Sequence, residues 1–188
     1  MKKLAVFASG TGSNFEVIAK SITNGELNAE ITLLVCDKPQ AMVIEKAKKF
    51  GINTLIIEPQ NYENKKSYEK IILTACKNAN VDLIVLAGYM RLIGNTLLDE
   101  YPKQIINIHP SLLPAFKGKD AISQALDYGV KVTGVTIHFV DAGMDTGEII
   151  SQSPLVISEN MDLEASIHKI EHELLVQTIK QLIKEETK

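Results

Sequence analysis

Short, continuously apolar runs alternate with helix-periodic segments over the first hundred residues, and this alternation most constrains the fold. Strands are predicted at Leu4–Ala8, Ile31–Cys36, Thr54–Ile57, Leu83–Ala87 and Ile105–Ile108. Helices are predicted at Asn14–Ile22, at Gln40–Phe50 and along the apolar face between Tyr68 and Ala79. Strand–helix–strand units join parallel strands by right-handed crossovers. The pattern therefore predicts an α/β fold with a Rossmann-like, mostly parallel sheet and flanking helices.

The pattern changes after Pro114. A helix around Ala121–Leu126 precedes two strand-like runs, Val132–Val140 and Glu148–Ile157, whose short Gly-rich connection favours antiparallel pairing. A long helix over Leu163–Ile183 ends the pattern. Since no linker or repeat interrupts the chain, we expect a single domain over residues 1–188, with halves at 1–100 and 101–188.

The run from Ile105 to Pro114 carries the strongest chemical signal. Asn107 and His109 are two residues apart on a predicted strand, so they share one side of it. The prolines that follow end the strand in a shaped loop. An amide and an imidazole at a strand end can together hold a developing oxyanion. A polar strand end and a hydrogen-bonded core histidine are the structural alternatives.

The loop Asp141–Gly147 lies between the last two strands and carries two carboxylates. Asp145, if close to His109, would favour the charged imidazole and raise its pKa; a turn-forming Asp is the alternative. His138 either lines the same pocket or is structural. Asn, His and Asp together indicate acyl-type chemistry. Because no Gly-x-Ser-x-Gly motif is present, direct transfer is favoured over a covalent intermediate.

A glycine-rich loop, Ser9–Asn14, follows the first strand and opens the first helix. Free N–H groups at a helix start attract an anion, and side-chain donors on Ser13 and Asn14 would add to them. Phe15 occupies the third glycine position of a dinucleotide motif, and no Walker Lys follows. The pattern favours a phosphomonoester site, and an ordinary capped turn is the alternative.

The loop Gly88–Ile93 follows the fourth strand, and ligands bind beyond the carboxyl ends of strands in such sheets. An apolar wall at Met90 beside the guanidinium of Arg91 suits a flat heteroaromatic ligand that bears carboxylates. A core-packing Met and a solvated Arg are the structural alternative.

Composition excludes several classes of function. The 188 residues carry a net charge of −3, no Trp and 5% aromatic residues, which argues against nucleic acid or a membrane surface as partner. Cys36 and Cys76 are expected to be free thiols in a reducing compartment. Without a leader or a membrane-spanning run, a cytoplasmic location is expected. His168 and His172 have no evident third ligand, so we expect no metal.

Four motifs resemble those of the glycinamide ribonucleotide formyltransferase family, folate-dependent enzymes of purine synthesis. They are Ala8–Asn14, Leu86–Arg91, Asn107–Pro114 and the loop that holds Asp145. The resemblance implies formyl transfer from 10-formyltetrahydrofolate to the amine of 5′-phosphoribosylglycinamide. It makes the first half of the chain phosphate-binding and the second half catalytic and folate-binding.

The resemblance also assigns roles to residues. The implied catalytic residues are Asn107, His109 and Asp145. The implied phosphate-binding residues are Gly12, Ser13 and Asn14. The implied folate-binding residues are Met90, Arg91, Leu92, Ile93, Asn107, Val140, Asp141 and Asp145. Pro110 and Glu171 are implied to contact the amine substrate, and the Leu113–Pro114 bond to be cis. The chain departs from the family pattern where Leu174–Val176 replaces a Tyr-Pro and where Lys65 and Lys66 replace an Arg.

Three other functions compete with this expectation. A 10-formyltetrahydrofolate deformylase would share the scaffold but usually carries an extra N-terminal domain. A methionyl-tRNA formyltransferase would need a basic extension for tRNA. A non-catalytic binder of a phosphorylated metabolite would not need Asn107, His109 and Asp145 together. The sequence leaves open whether the protein is a monomer or a homodimer.

Overall fold

The computed structural model describes residues 1–185, and the strands within that range form one seven-stranded mixed sheet. The strands are β1 (Lys2–Ala8), β2 (Ala29–Cys36), β3 (Thr54–Ile56), β4 (Leu83–Leu86), β5 (Ile105–His109), β6 (Val132–Phe139) and β7 (Ile149–Val156). Their order is β3-β2-β1-β4-β5-β6-β7. The first five strands are parallel, whereas β6 and β7 pair antiparallel at the edge. The predicted fold class is confirmed.

Six α-helices flank the sheet within the described residues, together with a 3-10 turn at Pro59–Asn61. They are α1 (Ser13–Thr23), α2 (Val43–Lys49), α3 (Lys65–Asn78), α4 (Asn95–Leu98), α5 (Ala121–Tyr128) and α6 (Leu163–Glu185). The prediction that α2 begins at Gln40 is wrong, because a turn closed by the Ala41 N–H and the Lys38 carbonyl precedes it. The helix α4 was not predicted, because its single turn is too short for a periodic pattern.

Both faces of the sheet are buried, which explains the continuously apolar strands. Along β1, Leu4, Val6 and Ala8 face the layer of α1, α2 and α6. Ala5 and Phe7 face the opposite layer, built by α3 and α4. All five side chains are fully buried, and burying one as large as Phe7 contributes about 1.5–3 kcal/mol to stability. No helix within residues 1–185 is long and apolar enough to cross a membrane.

The fold brings four chain segments to one edge of the sheet. The parallel strands β1, β4 and β5 end there and continue into the loops at Ser9, Gly88 and Pro110. The antiparallel strand β6 runs beside β5, so that Asn107 lies opposite His138. Polar side chains from different elements can therefore meet at this edge, as the strand order predicts.

Candidate active site

Four polar side chains form a cluster at the end of β5. The Asn107 Nδ2 lies 3.2 Å from His138 Nε2 and 3.4 Å from Asp145 Oδ1. The His109 Nδ1 lies 3.5 Å from Asp145 Oδ2, and His138 Nε2 lies 3.6 Å from Asp145 Oδ1. The structure thus brings together the three residues that the sequence singled out. It also adds His138, which the sequence left between two interpretations.

The position of Asp145 follows from a tight loop between β6 and β7. Asp141 closes the loop by accepting hydrogen bonds from the Gly143 N–H (3.0 Å) and the Thr146 hydroxyl (2.7 Å). Asp145 itself has a φ of 51°, a left-handed conformation that an Asp tolerates better than most residues. Its Oδ2 accepts a hydrogen bond from the Gly118 N–H at 2.8 Å. The carboxylate is therefore held on one side by its own loop and on the other by the loop after β5.

The pKa of His109 reflects a balance between burial and the polar groups around the ring. Burial lowers the pKa of His109, while the Phe116 carbonyl, 2.8 Å from Nε2, and the Asp145 carboxylate act to raise it. The net pKa of His109 lies below its usual value. The contribution of Asp145 has the expected sign, but desolvation of a histidine only 4% exposed outweighs it.

The carboxylate of Asp145 remains ionised in this setting. Burial raises its pKa, but the nearby His138 and His109 and the hydrogen bond from the Gly118 N–H shift it below the usual range. Both ring nitrogens of His109 face oxygen acceptors, a geometry in which an imidazolium can donate two hydrogen bonds. The cluster can accept a proton on His109 and hold it there beside a negative charge.

The loop after β5 is fixed by hydrogen bonds to the neighbouring strands. The Leu113 N–H donates to Thr136 Oγ1 at 3.0 Å, and the Gln152 amide donates to the Leu113 carbonyl at 3.0 Å. Ser111 donates to the Ala115 carbonyl at 2.6 Å. The bond between Leu113 and Pro114 is cis, as the family resemblance implies. Pro110 leads into this loop, directly beside the cluster.

The glycine-rich loop before α1 has the geometry of an anion site. Gly12 adopts a φ of 72° at the helix start, and its carbonyl accepts from the Glu16 N–H. The N–H groups of Ser13 and Asn14 precede this first helical bond and are available to a ligand. Without a bound anion, the Asn14 amide donates to Glu171 Oε2 at 3.4 Å, so the expected donation from this side chain to an anion stays a prediction.

Glu171 on α6 meets the start of α1 through this contact with Asn14. Burial raises the pKa of Glu171, although His168 and the Asn14 amide act to lower it. The His168 Nε2 lies 4.0 Å from the Glu171 carboxylate. Within residues 1–185, no group of three His, Cys, Asp or Glu side chains is placed to hold a metal ion. Among these described residues, His168 and His172 therefore have no third such side chain beside them.

The segment Met90–Ile93 after β4 presents an open apolar surface. Met90 and Leu92 are more than half exposed, whereas Ile93 is buried in the core. The Arg91 Nε donates to Asp37 Oδ2 at 2.8 Å, and this hydrogen bond raises the pKa of Arg91. Arg91 is thus neither packed away nor simply solvated, because a buried carboxylate at the end of β2 holds one edge of its guanidinium.

The chain is also similar to known proteins. The family model described as formyl transferase matches residues 2–179. The chain belongs to the formyl transferase family. Phosphoribosylglycinamide formyltransferase of Bacillus subtilis (strain 168) is 55% identical over 186 residues, which cover 97% of this chain and 95% of that protein.

Two solved structures resemble this formyl transferase closely. The crystal structure of phosphoribosylglycinamide formyltransferase from Bacillus halodurans superposes with a TM-score of 0.94 at 48% identity, covering 97% of this chain and 95% of the other. Glycinamide ribonucleotide transformylase 1 from Geobacillus kaustophilus gives a TM-score of 0.93 at 50% identity, covering 97% and 98%. At these identities the likeness extends beyond the fold to the sequence.

Several residues in or near this candidate site were not predicted from the sequence. Asp37 directly follows β2, so its place at the carboxyl edge of the sheet was a usable signal. Phe116 and Gly118 act through backbone groups, for which side-chain identity gives no warning. Glu69 lies in a helical pattern, yet it is buried and accepts a hydrogen bond from the Gly94 N–H at 2.7 Å.

Proposed function

We propose that this chain transfers the formyl group of 10-formyltetrahydrofolate to the amine of 5′-phosphoribosylglycinamide, giving formylglycinamide ribonucleotide in de novo purine (IMP) biosynthesis. The observation that carries the proposal is the cluster of Asn107, His109 and Asp145 at the sheet edge. It occurs in a chain similar over nearly its whole length to proteins named for this reaction. Its small-molecule partners are accordingly the ribonucleotide amine and the folate co-substrate.

The proposed reaction is direct attack of the amine nitrogen on the formyl carbon. As the new C–N bond forms, the formyl oxygen becomes negative and accepts hydrogen bonds from the Asn107 amide and from His109. The intermediate collapses by breaking the bond to N10 of the folate, which takes up a proton. The attacking nitrogen loses one proton, for which the ionised Asp145 is the acceptor, directly or through water.

His109 must release one of its present partners to take part in this step. Its Nε2 faces the Phe116 carbonyl at 2.8 Å and its Nδ1 faces Asp145. The low pKa that burial gives His109 makes it a ready proton donor to an oxyanion. Because these side chains supply the donors, the proposed transfer needs no metal. Alignment of the two substrates contributes a further part of the rate.

The proposed binding sites follow the geometry of the sheet edge. For the phosphate of the amine substrate we propose Gly12, Ser13 and Asn14. For the rest of that substrate we propose Pro110 and Glu171. For the folate we propose Met90, Arg91, Leu92, Ile93, Asn107, Val140, Asp141 and Asp145. We propose a single domain over residues 1–188, in which residues 1–100 supply the phosphate loop and the folate segment Met90–Ile93, and residues 101–188 supply the catalytic residues and the rest of the folate site. We expect a monomer or a homodimer that acts in the cytoplasm.

The experiment that tests this proposal is a turnover assay with 10-formyltetrahydrofolate, run with and without the amine substrate and followed by mass spectrometry. Formylated product that forms only when both substrates are present supports it. Loss of the formyl group to water at the same rate without the amine would point to a deformylase. The relatives are named as transferases, which disfavours that hydrolase.

A further inference from the structure

Ser9 lies where the segments proposed to bind the two substrates come closest. It separates the end of β1 from the glycine-rich loop, and it is only 3% exposed. Its backbone N–H donates to the Gly88 carbonyl at 3.1 Å. Its hydroxyl oxygen accepts from the Met90 N–H at 3.0 Å. One buried residue thus touches both the start of the proposed phosphate loop and the start of the proposed folate segment.

The two hydrogen bonds of Ser9 continue the backbone ladder between β1 and β4. Just before them, the Ala87 N–H donates to the Phe7 carbonyl at 2.9 Å. Gly88 then turns the chain with a φ of 75°, and the Met90 N–H, two residues further on, points at the Ser9 hydroxyl. A side-chain hydroxyl replaces the missing backbone acceptor there. A residue without a hydroxyl at position 9 would leave the Met90 N–H without this acceptor, although the backbone hydrogen bond from the Ser9 N–H to the Gly88 carbonyl would remain.

The far end of the same segment is held independently of the phosphate loop. The Gly94 N–H donates to Glu69 Oε1 at 2.7 Å, and Glu69 is a buried residue of α3. Removing this contact loosens the folate segment without touching the glycine-rich loop. The two ends of the segment therefore offer a matched pair of variants, of which only one alters the link between the sites.

We propose that Ser9 is a positioning residue that couples the two substrate sites, so that binding of either substrate tightens the binding of the other. The proposal rests on the function proposed above. A ligand that orders Met90 also fixes Ser9, and Ser9 in turn fixes the backbone that leads to Gly12. Thermodynamic linkage requires the coupling to act equally in both directions.

The test is calorimetric titration of a folate analogue that carries no transferable formyl group, with and without saturating glycinamide ribonucleotide. The quantity of interest is the ratio of the dissociation constants of the analogue without and with the ribonucleotide. In the wild-type protein we expect this ratio to be about 5 to 10, at the low end of typical coupling. In Ser9→Ala the ratio falls to about one. In Glu69→Ala the analogue binds more weakly, but the ratio keeps its wild-type value.

A second serine provides the control for loss of a buried hydroxyl. Ser21 on α1 is 7% exposed and donates to Glu26 at 3.0 Å, away from both proposed loops. Ser21→Ala should keep the wild-type ratio. Its loss of thermal stability measures what the removal of one buried hydroxyl costs, and the loss in Ser9→Ala is compared with that value.

Three outcomes overturn the proposal. They are a wild-type ratio of one, an unchanged ratio in Ser9→Ala, and an equal loss of coupling in Glu69→Ala. Failure of the proposed function is separately visible, because the wild-type protein would then form no product with the natural substrates.

Discussion

Replacing Asp145 with Asn tests how charge is distributed at the end of β5. The substitution keeps the shape of the side chain and removes the negative charge that faces His109 Nδ1 at 3.5 Å. Burial already lowers the pKa of His109, and the carboxylate is one of the groups that oppose this effect. Without it the pKa of His109 falls further, so a smaller fraction of the protein carries the proton that the proposed transfer uses.

The size of the effect follows from the distance and the surroundings. At 3.5 Å and an effective dielectric constant of about 20, the attraction between the two charges is about 5 kcal/mol. Asp145 also interacts with His138 and is partly exposed to solvent. Because both effects weaken its attraction to His109, we expect about half of that free energy, about 2–3 kcal/mol. A free energy of this size lowers the protonated fraction of His109, and with it kcat, by about 100-fold near neutral pH.

The assay is the pH dependence of kcat for both proteins from about pH 5 to about pH 9. Since the pKa of His109 is lower in the variant, the part of the activity lost through deprotonation of His109 should recover as the pH falls, whereas the part lost with Asp145 as proton acceptor stays lost at every pH. Asp127→Asn, an exposed substitution on α5, serves as the control for loss of a carboxylate. A variant with unchanged kcat, or a profile displaced to higher pH, would refute this reasoning.

Three further substitutions test other parts of the account. In Gly12→Ala the new Cβ atom would clash with the side chain of Val43, and the backbone would keep a left-handed conformation that disfavours alanine. We expect a free energy of unfolding about 1–3 kcal/mol lower in thermal unfolding, and a higher KM for the amine substrate. Glu171→Gln removes a carboxylate whose folded pKa is raised. The stability of the wild type should fall relative to this variant as the pH rises above about 4, measured as the difference in Tm. Lys103→Ala breaks an exposed ion pair with Glu148 and should cost only about 0–0.5 kcal/mol in denaturant unfolding; a larger loss would contradict the assignment of this pair to the solvent-exposed surface.

The sheet and the position of the site were predictable because two periodicities dominate this chain. Continuously apolar strands predicted helices on both faces of the sheet, and helices pack on both faces in the structure. The alternation along β5 placed Asn107 and His109 on one side, and the antiparallel return of β6 brought His138 opposite Asn107. These features depend on neighbours in sequence or on strand order, both of which a single chain displays.

The electrostatics of the site were not predictable in the same way. The pKa of His109 depends on the water that the surrounding loops exclude, and that quantity has no signature in sequence spacing. Long-range partners such as Asp37 for Arg91, or Glu171 for the Asn14 amide, depend on how separate elements pack. The one-turn helix α4 gave no periodic pattern to detect.

The proposed chemistry is tested most directly by the His109→Ala variant in single-turnover formyl transfer, with the affinity of each substrate measured separately. We predict that the transfer rate falls about 100- to 1000-fold, as is typical on loss of one oxyanion donor, while both dissociation constants stay within about threefold of the wild type. A wild-type transfer rate in this variant would contradict the assignment of the reaction to the cluster at the end of β5.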